Sequence, residues 1–396
     1  MGLTICAFLS TTFRLLTALH NLLTPPMPLQ ILIAPDKFKG TLTAQQAAEA
    51  IARGWRSVRG HDELLLLPMS DGGDGFGEIL SGLLGAVPQT VKSVDAAHRP
   101  LEATWWWHEQ MQTAIIESAV VIGLATLPRG KYHPFEVDTY GLGALLKAAA
   151  DRGAKRCYVG IGGSATNDGG FGMARALGWQ FFNTHEESIT RWTDLHALAL
   201  VQPPEKSQLF EELIVAVDVQ NPLLGPSGCS RIYGPQKGLT EFDVAERCLG
   251  QLAAMLEKHL HIAHANTCGA GAAGGLGFGL TSFLGACMEP GIDIFERHAK
   301  LTERVKSVQL VITGEGALDA QTLMGKGVGE IANVCQRLNV PCLGLAGIVP
   351  EPEKALEKFR AVHALVPEFT DMESALREPA LWLERLAAKA AMEWCC

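Results

Sequence analysis

A chain of 396 residues is longer than one hydrophobic core usually grows, so two domains with a cleft between them are expected. With 47% hydrophobic residues, 19% charged residues and 42 glycines, it reads as a well-packed globular protein with many tight turns, not a disordered or fibrous one. A formal net charge of −9 argues against nucleic acid as a partner. Any phosphate ligand must then be met by local lysines, backbone N–H groups and a metal ion.

The chain begins with an apolar stretch, Leu3 to Leu23, that imitates a targeting signal. It has no basic start, carries Arg14 and His20, and lacks a small-x-small cleavage site before Pro25-Pro26. It is also too polar for a membrane span. The expectation is a cytoplasmic protein without membrane association, in which residues 1–27 are an extension, disordered or the product of a mis-assigned start.

From there, short apolar runs ending in Gly or Asp alternate with helical periodicity. In chain order they predict a strand at 31–34, a helix at 44–55, strands at 64–68 and 114–116, a helix at 142–150, and strands at 157–161 and 213–217. A helix at 245–259, a strand at 310–313, a helix at 327–338, strands at 342–345 and 362–366, and a helix at 375–394 complete the set. The fold class is α/β with mostly parallel sheets. The first two and last three strands read as one discontinuous, doubly wound Rossmann- or flavodoxin-like domain, 28–88 with 285–396. A second α/β domain is inserted at 89–284. The ten cysteines are scattered without C-x-x-C spacing and read as reduced, mostly buried thiols.

Ligands of open α/β sheets bind beyond the carboxyl ends of the strands, and polar, glycine-rich clusters recur there. They are 34–40 (APDKFKG), 70–75 (SDGGDG), 162–170 (GGSATNDGG), 218–222 (DVQNP) and 314–319 (GEGALD). Each alone has an ordinary reading as a turn or helix cap. Together, with an acid in every one, they suit a phosphate and metal site: glycines admit phosphate close to the backbone and carboxylates hold Mg²⁺ or accept a hydroxyl proton. Standard motifs fail. Gly325-Lys326 lacks the rest of a Walker A loop, and 269–274 (GAGAAG) matches G-x-G-x-x-G without a strand before it, which reads as close packing or a loop ahead of a helix.

Taken in order, 31–41 (ILIAPDKFKGT), 68–75 (PMSDGGDG), 160–172 (GIGGSATNDGGFG), 221–238 (NPLLGPSGCSRIYGPQKG), 269–277 (GAGAAGGLG) and 313–326 (TGEGALDAQTLMGK) resemble the motifs of the type I bacterial glycerate kinases. The resemblance covers nearly everything from Leu29 onward. It implies a two-domain α/β enzyme that phosphorylates D-glycerate with ATP and a divalent metal, Mg²⁺, most members being assigned to 2-phosphoglycerate. The chain departs from the family pattern at Lys37, where Ser is usual, at Leu142 and Ala144 in place of Thr and Glu, and at Ala317 in place of Arg.

On this reading Asp168 orients or deprotonates the glycerate hydroxyl, with Asp71 as its rival. Asp218, Glu315 and Asp319 are the expected metal ligands. Lys39, Lys237 and Lys326 are expected at phosphate or the substrate carboxylate, and Arg99 as a bidentate carboxylate clamp. Gly162, Gly163, Ser164, Asn167, Gln236, Gly314 and Gly316 are expected to line the substrate and phosphate site. The substrates are small molecules, and a homodimer is compatible with the reading. Three alternatives stay open: a 3-phosphoglycerate-forming kinase, a dehydrogenase using the G-x-G-x-x-G, and a non-catalytic small-acid-binding protein.

Overall fold

The computed structural model describes residues 28–128, 130–323 and 327–394. The expectations for residues 1–27 and for Lys326 lie outside the described residues.

The strands are β1 (Gln30–Ile33), β2 (Glu63–Leu66), β3 (Val87–Val94), β4 (Pro100–His108), β5 (Thr113–Glu117), β6 (Arg156–Gly160), β7 (Gln180–Asn183), β8 (Leu198–Gln202), β9 (Glu212–Val217), β10 (Cys287–Pro290), β11 (Leu310–Ala317), β12 (Cys342–Ile348) and β13 (Ala361–Val366). They form two large sheets and one hairpin, β7-β8. The first sheet has the order β13-β12-β11-β1-β2 and is parallel throughout. Its strands are buried on both faces, which is why they read as continuous apolar runs. One face packs on the helices Ala44–Val58 and Pro379–Trp394, through Ile51, Trp55, Leu383 and Leu386. The other packs on Val328–Leu338 and its neighbours through Ile331 and Val334. This is the doubly wound arrangement expected.

The second sheet, β10-β9-β6-β5-β4-β3, is parallel except for its edge strands β4 and β3. Its large core includes Leu145, Phe171, Leu249 and Phe278 from the helices Tyr140–Asp151, Phe171–Ala176, Phe242–Leu260 and Ala272–Leu284. The helices Phe76–Leu84 and Gly291–Ala299 carry the chain between the sheets and lie between them. Phe76, Leu80 and Ile294 pack on Ile115, Tyr158 and Ile214 of the second sheet. Ile79, Leu83 and Phe295 turn to the first.

The boundary expected at 285 falls too early. β10 pairs with β9 in the second sheet, Cys287 opposite Ile214, so the chain returns to the first sheet only after Pro290. The described cysteines are free, five of them buried and Cys268 and Cys287 exposed. Among the described residues no helix is long and apolar enough to cross a membrane.

Candidate active site

The carboxyl ends of both sheets meet at one place, the loop after β2. Met69 N–H donates to Pro35 O (3.0 Å) and Asp36 N–H to Gly314 O (2.9 Å), which sets the loops after β1, β2 and β11 side by side. From the second sheet, Gly162 N–H donates to Gly72 O (3.2 Å). Glu117, at the end of β5, accepts from Gly75 N–H (2.9 Å) and Gly77 N–H (3.0 Å). The helix Phe76–Leu84 has no side-chain cap of its own, so this buried carboxylate caps it from the opposite sheet. Gly162 stays close because a Cβ there would come 2.5 Å from the Gly73 Cα.

Asp36, Lys37, Asp71 and Asp74 gather at this junction. Burial opposes the Lys37 ammonium, but Asp36, Asp71, Asp74 and Asp218 together hold its pKa above the ordinary lysine value. Lys37 lies over Gly73, where a Cβ would meet its Nζ at 2.6 Å and the Asp71 Oδ1 at 3.4 Å. A Cβ on Gly327 would sit 3.9 Å from the Asp71 Oδ2 and 4.0 Å from the Asp36 Oδ2, so these two carboxylates point at one spot. Asp36 is pushed up to about 6, first by burial and then by the charge of Asp71, with Lys37 opposing. Glu315, on β11, is pushed up to about 7 by burial, then by Asp36, Asp71 and Asp319, although its Oε1 accepts from Thr322 Oγ1 (2.7 Å). Negative charge is in excess here, and the site suits a cationic or proton-donating ligand. A cleft of about 530 Å³ opens beside Lys37 and Asp74.

A family model described as the glycerate kinase family matches residues 31–395. The chain belongs to the glycerate kinase family. The chain is 38% identical over 371 residues to the glycerate kinase of Bacillus subtilis, covering 92% of this chain and 97% of that one. It is 34% identical over 360 residues to the glycerate 2-kinase of Escherichia coli, covering 88% and 93%. A crystal structure from Salmonella typhimurium LT2 that carries the name glycerate kinase 2 superimposes with a TM-score of 0.77 at 32% identity, covering 93% of this chain and 98% of the other. As a member of the glycerate kinase family the protein is an enzyme, with ATP and glycerate as its substrates.

The site residues expected from sequence distribute unevenly in this glycerate kinase fold. Asp71, Asp218, Glu315, Gly162 and Gly163 reach the junction, Gly163 lying so close to Asp74 that a Cβ would overlap its Oδ1. Gly314 and Gly316 lie on β11, where Gly314 accepts from Asp36 N–H and Gly316 lies against the backbone of Phe38 and Lys39. Lys39 itself is exposed. The trio Asp218, Glu315 and Asp319 does not form a ligand set: among the described residues no group of three or more His, Cys, Asp or Glu is arranged to hold a metal. Asp319 Oδ1 instead accepts from Thr322 N–H (3.3 Å) in a turn.

Asp168 sits elsewhere, fully buried inside the second sheet's domain. Its Oδ2 accepts from Thr139 N–H (3.0 Å), Thr139 Oγ1 (2.8 Å) and Gly172 N–H (2.8 Å), and its Oδ1 from Gly170 N–H (3.3 Å). Burial, then Asp138, pushes it up to about 6 against these donors. All of its bonds go to its own chain, so it ties the start of Phe171–Ala176 to that of Tyr140–Asp151. Lys237 donates to Thr166 O (2.6 Å), and burial lowers it to about 8. Ser164 Oγ pairs with Thr166 Oγ1 (2.9 Å), and Asn167 Nδ2 donates to Ser230 Oγ (2.9 Å). Gln236 is exposed on the turn Pro235–Lys237. Arg99 is committed to Asp95, its Nε donating to Oδ2 (2.6 Å), and to Thr126 O (3.3 Å).

Sequence reasoning flagged the segments holding Asp36, Lys37 and Asp74 but named none of the three as a site residue, and it missed Glu117 and the cleft. Lys37 appeared only as a departure from the family pattern. The available signal was that Lys37 directly follows an acid at the end of the first strand, in a loop facing three other acid-bearing loops.

Proposed function

We propose that this member of the family transfers the γ-phosphoryl group of ATP to the 2-hydroxyl of D-glycerate at the junction of the two sheets. The observation that carries this reading is the convergence of Asp36, Asp71, Asp74 and Asp218 on Lys37 where both sets of strand ends meet. Phosphoryl transfer needs alignment and charge neutralisation more than covalent chemistry by the protein. Lys37 supplies a fixed positive charge for the moving phosphoryl oxygens. Asp71 takes the role of orienting and deprotonating the substrate hydroxyl: it is half-buried and open to a ligand, whereas Asp36 is buried, with its Oδ1 accepting from Lys37 N–H (2.7 Å). Asp168 acts as a positioning residue for the second domain. The 2-position is supported by the name glycerate 2-kinase carried by the Escherichia coli relative.

The donor set fits Mg²⁺ in kind, because these are hard carboxylate oxygens that outnumber the Lys37 ammonium among the described residues. Asp36, with Glu315 beside it, would hold the ion, which when bound would neutralise phosphate charge, and Asp71 is left for the hydroxyl. The chain's own residues then align the hydroxyl, exclude water and accept its proton.

Asp71→Asn and Lys37→Met test the assignment. Each is expected to lower kcat by about 10²-fold or more while the thermal midpoint stays near wild type. Turnover within a few-fold of wild type in a folded Asp71→Asn protein would remove it as the base.

A further inference from the structure

The cleft beside the acid cluster is lined by charged and apolar residues together. At the junction it is lined by Lys37 and Asp74. Its walls include Leu66, Leu67 and Pro68 at the end of β2 and Ile79 and Leu83 of the helix Phe76–Leu84, with the exposed Glu78 on the same helix. The loop Gly40–Thr43 and the first turn of the helix Ala44–Val58 close one side. Thr41 Oγ1 is already spent on Phe38 O (2.8 Å), and Thr43 Oγ1 on Gln46 N–H (3.2 Å). At the rim stands Arg304, its Nε–H bonded to Ala299 O (2.8 Å), which fixes one edge of the guanidinium plane.

We propose that this cleft seats the adenosine of ATP, with the triphosphate running inward to Lys37. The assignment rests on the kinase reading above. A volume of about 530 Å³ suits a nucleotide, and a three-carbon acid would fill little of it. A small polar monoanion such as glycerate gains little from leucine and isoleucine walls, whereas a flat purine and ribose bury apolar area against them. A guanidinium held by one edge presents a face on which a purine stacks. Lys37, one of the lining residues, stands at the junction where the transferred group must be, so one ligand can touch both the apolar walls and the acid cluster.

Gly82 gives the test. It lines the cleft on an exposed helical face, and a Cβ built there meets nothing within 4 Å. Tryptophan is favoured over glycine in a helix interior, so Gly82→Trp projects an indole into the cleft without disturbing the core. The expected result is a rise of about tenfold or more in KM for ATP, and the same weakening of ADP binding measured by calorimetry without turnover. The KM for glycerate should stay within about twofold, since its site is at the junction. Arg304→Ala, an exposed surface change, is expected to weaken ADP binding about threefold or more. Unchanged ADP affinity in both variants, or a Gly82→Trp effect confined to glycerate, overturns the proposal. Because ADP binding is read without catalysis, absence of glycerate turnover in the wild type would count against the kinase reading and leave this one standing or falling on the calorimetry.

Discussion

Lys37 can lie across the loop after β2 only because residue 73 has no side chain. A methyl group there would stand 2.6 Å from Nζ, and the lysine, being the flexible partner, would be the one to move. Gly73→Ala is therefore expected to leave the thermal midpoint nearly unchanged while lowering kcat about tenfold or more, a split that steady-state kinetics and calorimetry on one preparation would reveal. Asp168 should behave oppositely. Asp168→Ala orphans four buried donors and is expected to cost about 3–5 kcal/mol by denaturant unfolding, whereas Asp168→Asn retains an acceptor for the three donors at Oδ2. Its folded pKa of about 6 lies above the ordinary 3.8, so the native state holds the proton more tightly. The stability contributed by this group is then fully present below about pH 4 and is lost as pH rises through about 6. The margin of wild type over Asp168→Asn should accordingly be larger at pH 5 than at pH 7.5, and a margin that grows with pH would contradict the assignment. Sequence alone could not separate Asp168 from Asp71, because both follow a strand and precede glycines. What distinguishes them is how many donors the chain itself brings to each, and that is decided by residues such as Thr139, far away in sequence.

At the scale of elements, the helix Ala272–Leu284 begins with three residues in left-handed conformation: Ala273, Gly274 and Gly275. A Cβ on Gly274 would overlap Thr166 O, and Gly169 N–H donates to Gly274 O (3.1 Å), so the G-x-G-x-x-G segment packs against the 162–170 loop. It is a backbone contact, as the missing strand before it suggested. Gly274→Ala combines positive-φ strain with overpacking and is expected to cost on the order of 3–5 kcal/mol, visible as a lower denaturation midpoint or loss of soluble protein. The buried parallel strands were legible because burial on both faces makes them uniformly apolar. β3 and β4 were not. They form the antiparallel pairs of their sheet, and outside Trp105–Trp107 their polar and apolar residues are mixed, so neither strand reads as one continuous apolar run. The short strand β10 was missed for a related reason: Cys287–Pro290 contains Glu289 and ends in proline, and its place in the second sheet comes from pairing with β9.

At the centre of the molecule Glu117 makes two polar contacts from the second sheet to the segment that follows β2. Glu117→Ala leaves the half-buried amide of Gly75 and the buried amide of Gly77 without their acceptor and is expected to cost about 2–4 kcal/mol. It should also speed hydrogen exchange in the helix Phe76–Leu84 more than in the Tyr140–Asp151 helix, because the cap is lost only for the former. Uniform acceleration across both would mean that the carboxylate acts on global stability alone. The division into two α/β units was expected from chain order, because the first two and last three apolar runs read as one sheet interrupted by a long middle segment. That both sheets turn their carboxyl ends to one loop was not, because this depends on how the helices Phe76–Leu84 and Gly291–Ala299 pack between them. The central claim is that phosphoryl transfer to the 2-hydroxyl of glycerate occurs at that meeting point. ³¹P NMR of purified enzyme with ATP, Mg²⁺ and D-glycerate tests it most directly. The account predicts a new phosphate resonance split by a single methine proton, as in 2-phosphoglycerate; a resonance split by a methylene pair, or none beyond ATP hydrolysis products, would contradict it.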